Sequence, residues 1–251
     1  MGFVLRALLC AVGVTAFASA VSAVEKPPVM GDPGLRQAGI PDSVPNISGV
    51  WQLKQYIRQI KPFDGSDTPW QPWTLEAFKA RAAAEAAGRP MYDPNADCQP
   101  SGLPRVLTAP YPHEIIQTPN EIIFMVEVMH TFRIVHMNSK HPEHFEPGHF
   151  GHSIGHWEGD TLVIDTVGFV KQTQIDEAGT LHSDKMHLIQ RIRKVNDTLE
   201  IEFTVDDPGA FTKPWTAKRV WQWRPEVRFS EYVCEENNRN VPGADGALRN
   251  F

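Results

Sequence analysis

Three observations predict a mainly β protein, an antiparallel meander closing into a lipocalin-like barrel with a β-sandwich as the alternative packing. Strand-length runs of β-branched and aromatic residues follow one another from residue 113 onward. Explicit turn pairs separate them: Pro119-Asn120, Gly159-Asp160, Asn196-Asp197 and Asp207-Pro208-Gly209. Only one segment has the start and stop signals of a helix.

Taken from the N-terminus, residues 1–23 have the form of a signal peptide. Arg6 supplies the early charge, Ala7 to Ala20 form an apolar run, and Val21-Ser22-Ala23 offers a small-x-small cleavage site. The alternative, a membrane anchor, is disfavoured because the run is shorter than the roughly 20 residues of a spanning helix. Leu9 stands where a lipoprotein signal ending at Cys10 needs a small residue. The expected localisation is therefore periplasmic or secreted, with no membrane span after cleavage.

Residues 24–45 are rich in Pro and Gly and read as an extended arm, and 46–251 as one barrel domain. Gly49 to Leu53 opens the domain with a Gly-x-Trp of the kind that starts lipocalin-like barrels. Between Thr74 and Gly88 lies the single helix, with Thr74 as N-cap, Glu76 in its first turn, and Gly88 and Pro90 as stops. Its apolar face (Leu75, Phe78, Ala82) is small, so it belongs on the surface. After an irregular Pro-rich stretch, strands are expected near 113–118, 121–129, 131–138, 152–158, 161–168, 186–195, 198–205, 216–224 and 228–235. The clearest alternates Leu199, Ile201, Phe203 and Val205 with Glu200, Glu202 and Thr204, the period of a strand with one buried face.

The net charge of −6 and the lack of any basic run argue against nucleic acid as a partner. Export leaves Cys98 and Cys234 as the remaining cysteines, a pair that an oxidising compartment tends to bridge; two buried free thiols are the alternative. No P-loop, dinucleotide fingerprint or G-x-S-x-G elbow occurs, and Ser153 falls within a strand. No cofactor is expected.

The stretch from Gly151 to Thr166, GHSIGHWEGDTLVIDT, resembles a block of roughly the form G-[DH]-S-x-G-x-W-E-G-D-T-L-V-V-D-T shared by a large group of exported bacterial proteins. Three further blocks of that group have counterparts here. Cys98, Pro100, Gly102, Pro104 and Arg105 match C-x-P-x-G-x-P-R. Leu181-His182-Ser183 with His187 match a paired-histidine strand entry, and Asp207, Pro208, Phe211, Thr212, Pro214 and Trp215 match D-P-x-x-[FY]-T-x-P-W. The resemblance runs from about Cys98 to Cys234 and implies a family without implying an activity. Gln190 departs from it, standing where a Glu is common.

Seven of the ten histidines fall between His130 and His156. Two chemistries use such a set. In the first, His152, His182 and His187 converge inside the barrel beside Asp165, with Glu127 as a second carboxylate, and move protons on a small hydrophobic or aromatic molecule as an isomerase, hydratase or lyase would. In the second, His152 and His156 with His182 or His187 hold a metal in an envelope protein; no compact ligand signature supports that set. Glu127 and Arg133 flank a hairpin and suggest an internal ion pair or a carboxylate-binding Arg, against a plain cross-strand pair. Together with Arg133 and His156, Trp221 and Trp223, which share a strand face, are the candidate substrate contacts, core packing being the commoner reason for such a stripe. A lipocalin-like carrier that binds the same small molecule without changing it is the rival to the enzyme.

Overall fold

The computed structural model describes residues 37–89, 91–234, 236, 240–242 and 248–250. The expected signal peptide and the arm up to residue 36 lie outside the described residues. Nine strands close into a barrel: β1 (Gly49–Leu53), β2 (His113–Gln117), β3 (Glu121–Val126), β4 (Thr131–Met137), β5 (His152–Glu158), β6 (Thr161–Val167), β7 (His187–Val195), β8 (Thr198–Asp206) and β9 (Trp215–Trp223). β9 pairs back onto β1, with Trp51 opposite Trp223 and Leu53 opposite Trp221. A two-stranded ladder, β10 (Asn240–Pro242) with β11 (Leu248–Asn250), follows outside the barrel.

Two features depart from the expected meander. β4 and β5 are parallel, with Val135 opposite Ser153, because the connection 138–151 returns along the outside of the barrel; a tight turn cannot join parallel strands. The sheet is therefore mixed. Of the strand expected at 228–235, the described residues 228–234 form none, since both edges of β1 are already taken by β2 and β9. Its backbone finds side-chain acceptors: Ser230 N–H donates to Glu127 Oε2 at 2.7 Å and Tyr232 N–H to His130 Nε2 at 2.9 Å.

Alternation of period two sends Trp51, Ile115, Phe124, Leu162, Ile164, Leu188, Ile201, Phe203 and Trp221 inward, where they form one core. A short 3₁₀ turn at Arg105–Thr108 caps one end of it, contributing Val106 and Leu107. The C-x-P-x-G-x-P-R block thus acts structurally. Gly102 adopts φ +71°, and a Cβ there would lie 2.6 Å from the His149 carbonyl. Arg105 closes the block with a two-pronged ion pair to Asp93, at 2.8 and 2.7 Å. Cys98 and Cys234 are bridged, with Cα atoms 5.6 Å apart, and Cys234 lies in an irregular segment, not a last strand.

The helix, α1 (Pro72–Ala86), is peripheral as expected but begins earlier. Pro72 opens it after Gln71, because its fixed φ suits the first helical position. Thr74 is consequently inside the helix, where its hydroxyl reaches the Ala210 carbonyl at 2.7 Å and ties α1 to the barrel.

Candidate functional site

Two groups of polar side chains emerge from strands β4 to β7, on opposite faces of the same wall. The burial pattern of β5 turns Ser153 and Gly155 inward and His152, Ile154 and His156 outward. On β6, Leu162, Ile164 and Thr166 point in while Asp165 points out; on β7, Leu188, Gln190 and Ile192 point in while His187 points out.

The outer group gathers His152, Asp165 and His187 beneath the connection 138–151, which adds His141. Asp165 Oδ1 meets His187 Nε2 at 2.9 Å and His141 Nε2 at 3.0 Å. His141 Nδ1 lies 2.8 Å from His152 Nδ1. With both Nε2–H groups donating to the carboxylate, His141 accepts through Nδ1 the Nδ1–H of His152. Burial, then the neighbouring His141 and His136, hold His152 below its ordinary imidazole range.

His152, His187 and Asp165 therefore converge, but on the outer wall and not in the interior. The other expected members are elsewhere. His182 is buried in the 169–186 connection, with Nε2 at 2.7 Å from Thr173 Oγ1 and Nδ1–H donating to the Ser183 carbonyl. His156 faces solvent beside Glu158, and Glu127 holds the backbone of Ser230. Among the described residues no group of three or more His, Cys, Asp or Glu is arranged to hold a metal ion, so the alternative trio built on His152 and His156 does not form.

The inner group centres on Arg133, which β4 carries into the core at 4 % exposure. Its Nε donates to Ser153 Oγ at 2.8 Å, one Nη to Gln190 Oε1 at 2.6 Å and the other to Thr166 Oγ1 at 2.7 Å. The guanidinium lies 5.6 Å from the centre of the Phe124 ring. All of these partners are neutral. Burial pulls Arg133 down to about 9, and of the readings open for it the Glu127 ion pair does not form, Glu127 holding the Ser230 backbone instead. Facing the same small cavity are His113 and Trp221, whose rings pack 4.3 Å apart. His113 Nδ1–H donates to the Tyr111 carbonyl at 3.1 Å, while Nε2 is buried without a hydrogen-bond partner among the described residues. Burial pushes this imidazole down to about 4, so it is neutral.

Apolar groups of Leu103, Val106, Leu107, Phe124, Val126 and Phe150 complete the lining of a cavity of about 10 Å³, room for one water. Trp221 belongs to this wall, donating Nε1–H to the Leu107 carbonyl at 3.1 Å. Trp223, one inward position along β9, packs half-buried against the core without lining the cavity.

Ser153, Thr166, Gln190 and His113 were not expected as site residues. The available signal was a polar residue on the apolar face of a strand: His113 shares its side with Ile115, Thr166 with Leu162 and Ile164, and Gln190 with Leu188 and Ile192.

No family model matches the chain, and no curated protein matches it. Among solved structures, it is similar to REP1-NXSQ fatty acid transporter, at 11 % identity and TM-score 0.36 over 72 % of this chain and 97 % of that one. It is also similar to a secretory abundant heat soluble protein from Ramazzottius varieornatus, at 14 % identity and TM-score 0.28 over 70 % and 94 %. The fold class that the strands themselves define is a closed nine-stranded mixed barrel with one peripheral helix.

Proposed function

We propose that this chain is an exported barrel that binds a small apolar or aromatic acid in its interior, with Arg133 as the anchor for the acid group. One observation carries the reading: a fully buried guanidinium whose described partners are all neutral. An ion taken out of water without a counter-charge costs several kcal/mol, and a ligand carboxylate held by the remaining guanidinium N–H groups offsets that cost. The lining of Leu, Val, Phe and Trp side chains fits an apolar body attached to it.

The cavity is far smaller than such a ligand, so binding requires Phe150 and the 103–107 segment to move outward. That segment lies between two anchors, Cys98 and β2. Its 3₁₀ turn has few ladder bonds to break, which suits a cap.

The position of Gln190 favours binding over storage of an internal ion pair. It stands where the resembled pattern commonly has Glu, and its amide oxygen is the partner of Arg133. A Glu there would neutralise the cation from within; Gln leaves the charge for a ligand.

Native mass spectrometry of protein purified without denaturation tests the reading. An organic acid at unit stoichiometry in the wild type, missing from Arg133→Met, is the expected result. Equal loading of both proteins, or a ligand retained only by way of the outer histidines, overturns it.

A further inference from the structure

The ladder that closes the barrel skips one rung. β1 pairs with β9 through Leu53, and Lys54 N–H then donates to the Val220 carbonyl at 2.9 Å. The chain leaves the wall in an arch and returns at Phe63, whose N–H donates to the Thr216 carbonyl at 3.0 Å. Between these two rungs the Lys218 carbonyl, directed at the same edge, is met by a side chain: Arg219 donates an Nη N–H to it at 2.6 Å.

Arg219 is an inward position of β9 and only 6 % exposed, yet its Nε and second Nη have no partner among the described residues. Asp176, the carboxylate whose charge acts on it, is occupied by Ile60 N–H at 2.9 Å and by Thr180 N–H and hydroxyl at 3.0 and 2.9 Å, with no hydrogen bond to Arg219. Over the gap lies a cleft of about 530 Å³ lined by Ile57, Gln59, Lys61, Phe63, Lys218 and Arg219, continuing past Lys54. Its cations outnumber the carboxylates facing it: Glu202 engages Lys218 at 2.5 Å, and Asp176 lies buried behind. Its walls are unusually apolar for a surface, with Phe63 at 55 % and Ile57 at 38 % exposure.

We propose that this gap in the barrel wall is a second ligand site, for a small aromatic carboxylate whose acid group meets Arg219 and Lys61 and whose ring lies against Phe63 and Ile57. Nε and the second Nη of this nine-tenths-buried cation, unpaired among the described residues, supply the anion recognition once the Arg219 side chain turns toward the cleft. The exposed ring and branched side chain supply a preference for an aromatic over a simple acid. The site lies in the gap beside β9 and takes no residue from the Arg133 cavity.

The experiment is an NMR titration of the full ¹⁵N-labelled protein with sodium benzoate and, separately, sodium acetate. Benzoate is expected to shift the amides of Lys61, Phe63, Lys218 and Arg219 along one saturable curve, with acetate binding roughly tenfold more weakly. Arg219→Gln should weaken benzoate roughly tenfold or more, and Arg133→Met should leave this curve unchanged, which separates the site from the interior one. Since Arg219 also fills the skipped rung, Lys54→Ala/Lys61→Ala on the solvent-exposed rim serves as the second variant, expected to lose about threefold or more. The proposal is overturned if no saturable shift appears at these amides, if acetate matches benzoate, or if both the Arg219 and the double-lysine variants bind as the wild type does.

Discussion

The same strands β5, β6 and β7 carry both polar groups, and the two differ in what surrounds them. On the outer face, three imidazoles and one carboxylate satisfy one another in a chain from His152 to His187, with Asp165, His141 and His187 all partly exposed. On the inner face a cation is met by two hydroxyls and an amide, and a neutral imidazole nitrogen has no hydrogen-bond partner among the described residues. A cluster that completes itself at the surface asks for no ligand. One left electrostatically incomplete in the core does, because the low dielectric there magnifies each missing partner.

The largest test of this contrast is the disulfide, which anchors the cap over the inner group and touches nothing of the outer one. The chain-entropy model assigns about 4–5 kcal/mol to closing a loop of this length, an upper figure; the bridge spans a sequence separation of 136. Reduction should lower urea stability by a few kcal/mol. Hydrogen exchange should rise first at residues 103–113 while 161–167 stays protected. Equal loosening of both regions would show that the cap is not a separate unit.

Acid comes next. The folded pKa of His113 is depressed to about 4, so between there and its unfolded value of about 6.5 the unfolded chain binds the extra proton. Stability is then complete above about pH 6.5 and falls as pH drops toward 4, by roughly 3 kcal/mol over that range. A His113→Gln variant should show a flatter denaturation profile across the same window. An unchanged profile would move the acid sensitivity out of the core.

Gln190→Glu sharpens the comparison by completing the inner group. The new carboxylate meets Arg133 where the amide now accepts at 2.6 Å. Ligand-free stability should change by about 1–3 kcal/mol toward the folded state, and acid ligands should no longer bind. A variant that still binds them as the wild type does would detach ligand recognition from Arg133.

The smallest effect is expected at the surface. His152 is held below its ordinary range, so its contribution is also present above about pH 6.5 and lost below it. Its partial exposure keeps that contribution under about 1 kcal/mol. His141→Ala should free the 138–151 connection, visible as faster exchange there, without altering interior ligand binding. Loss of binding in this variant would mean that the connection holds Phe150 in place and that the two regions are coupled.

Much of the frame was legible. β2, β5, β6, β8 and the Cys98–Cys234 bridge follow from alternation, turn pairs and cysteine number, all of them local or countable properties. The helix was legible too, apart from its first turn, where Pro72 outweighs the capping preference of Thr74. The missing strand at 228–235 was not, because its residues have ordinary β character; what they lack is a free edge, and only barrel closure removes it.

The sequence by itself determined that His152, Ile154 and His156 lie on one side of a strand and Ser153 and Gly155 on the other. It did not determine which side is inside. A lone isoleucine between two histidines suggests burial, but a strand's face is chosen by the summed demand of its neighbours, which lie far away in the chain. Here Leu162, Ile164, Leu188 and Ile192 fill the interior from β6 and β7. At Gly155 an added Cβ would come 2.7 Å from Val135, so the small residues face in where Arg133 and Val135 occupy the space. The tertiary structure thus turned the histidines outward and left an arginine at the centre. Period two is a property of the local backbone, whereas inside and outside exist only once the sheet has closed.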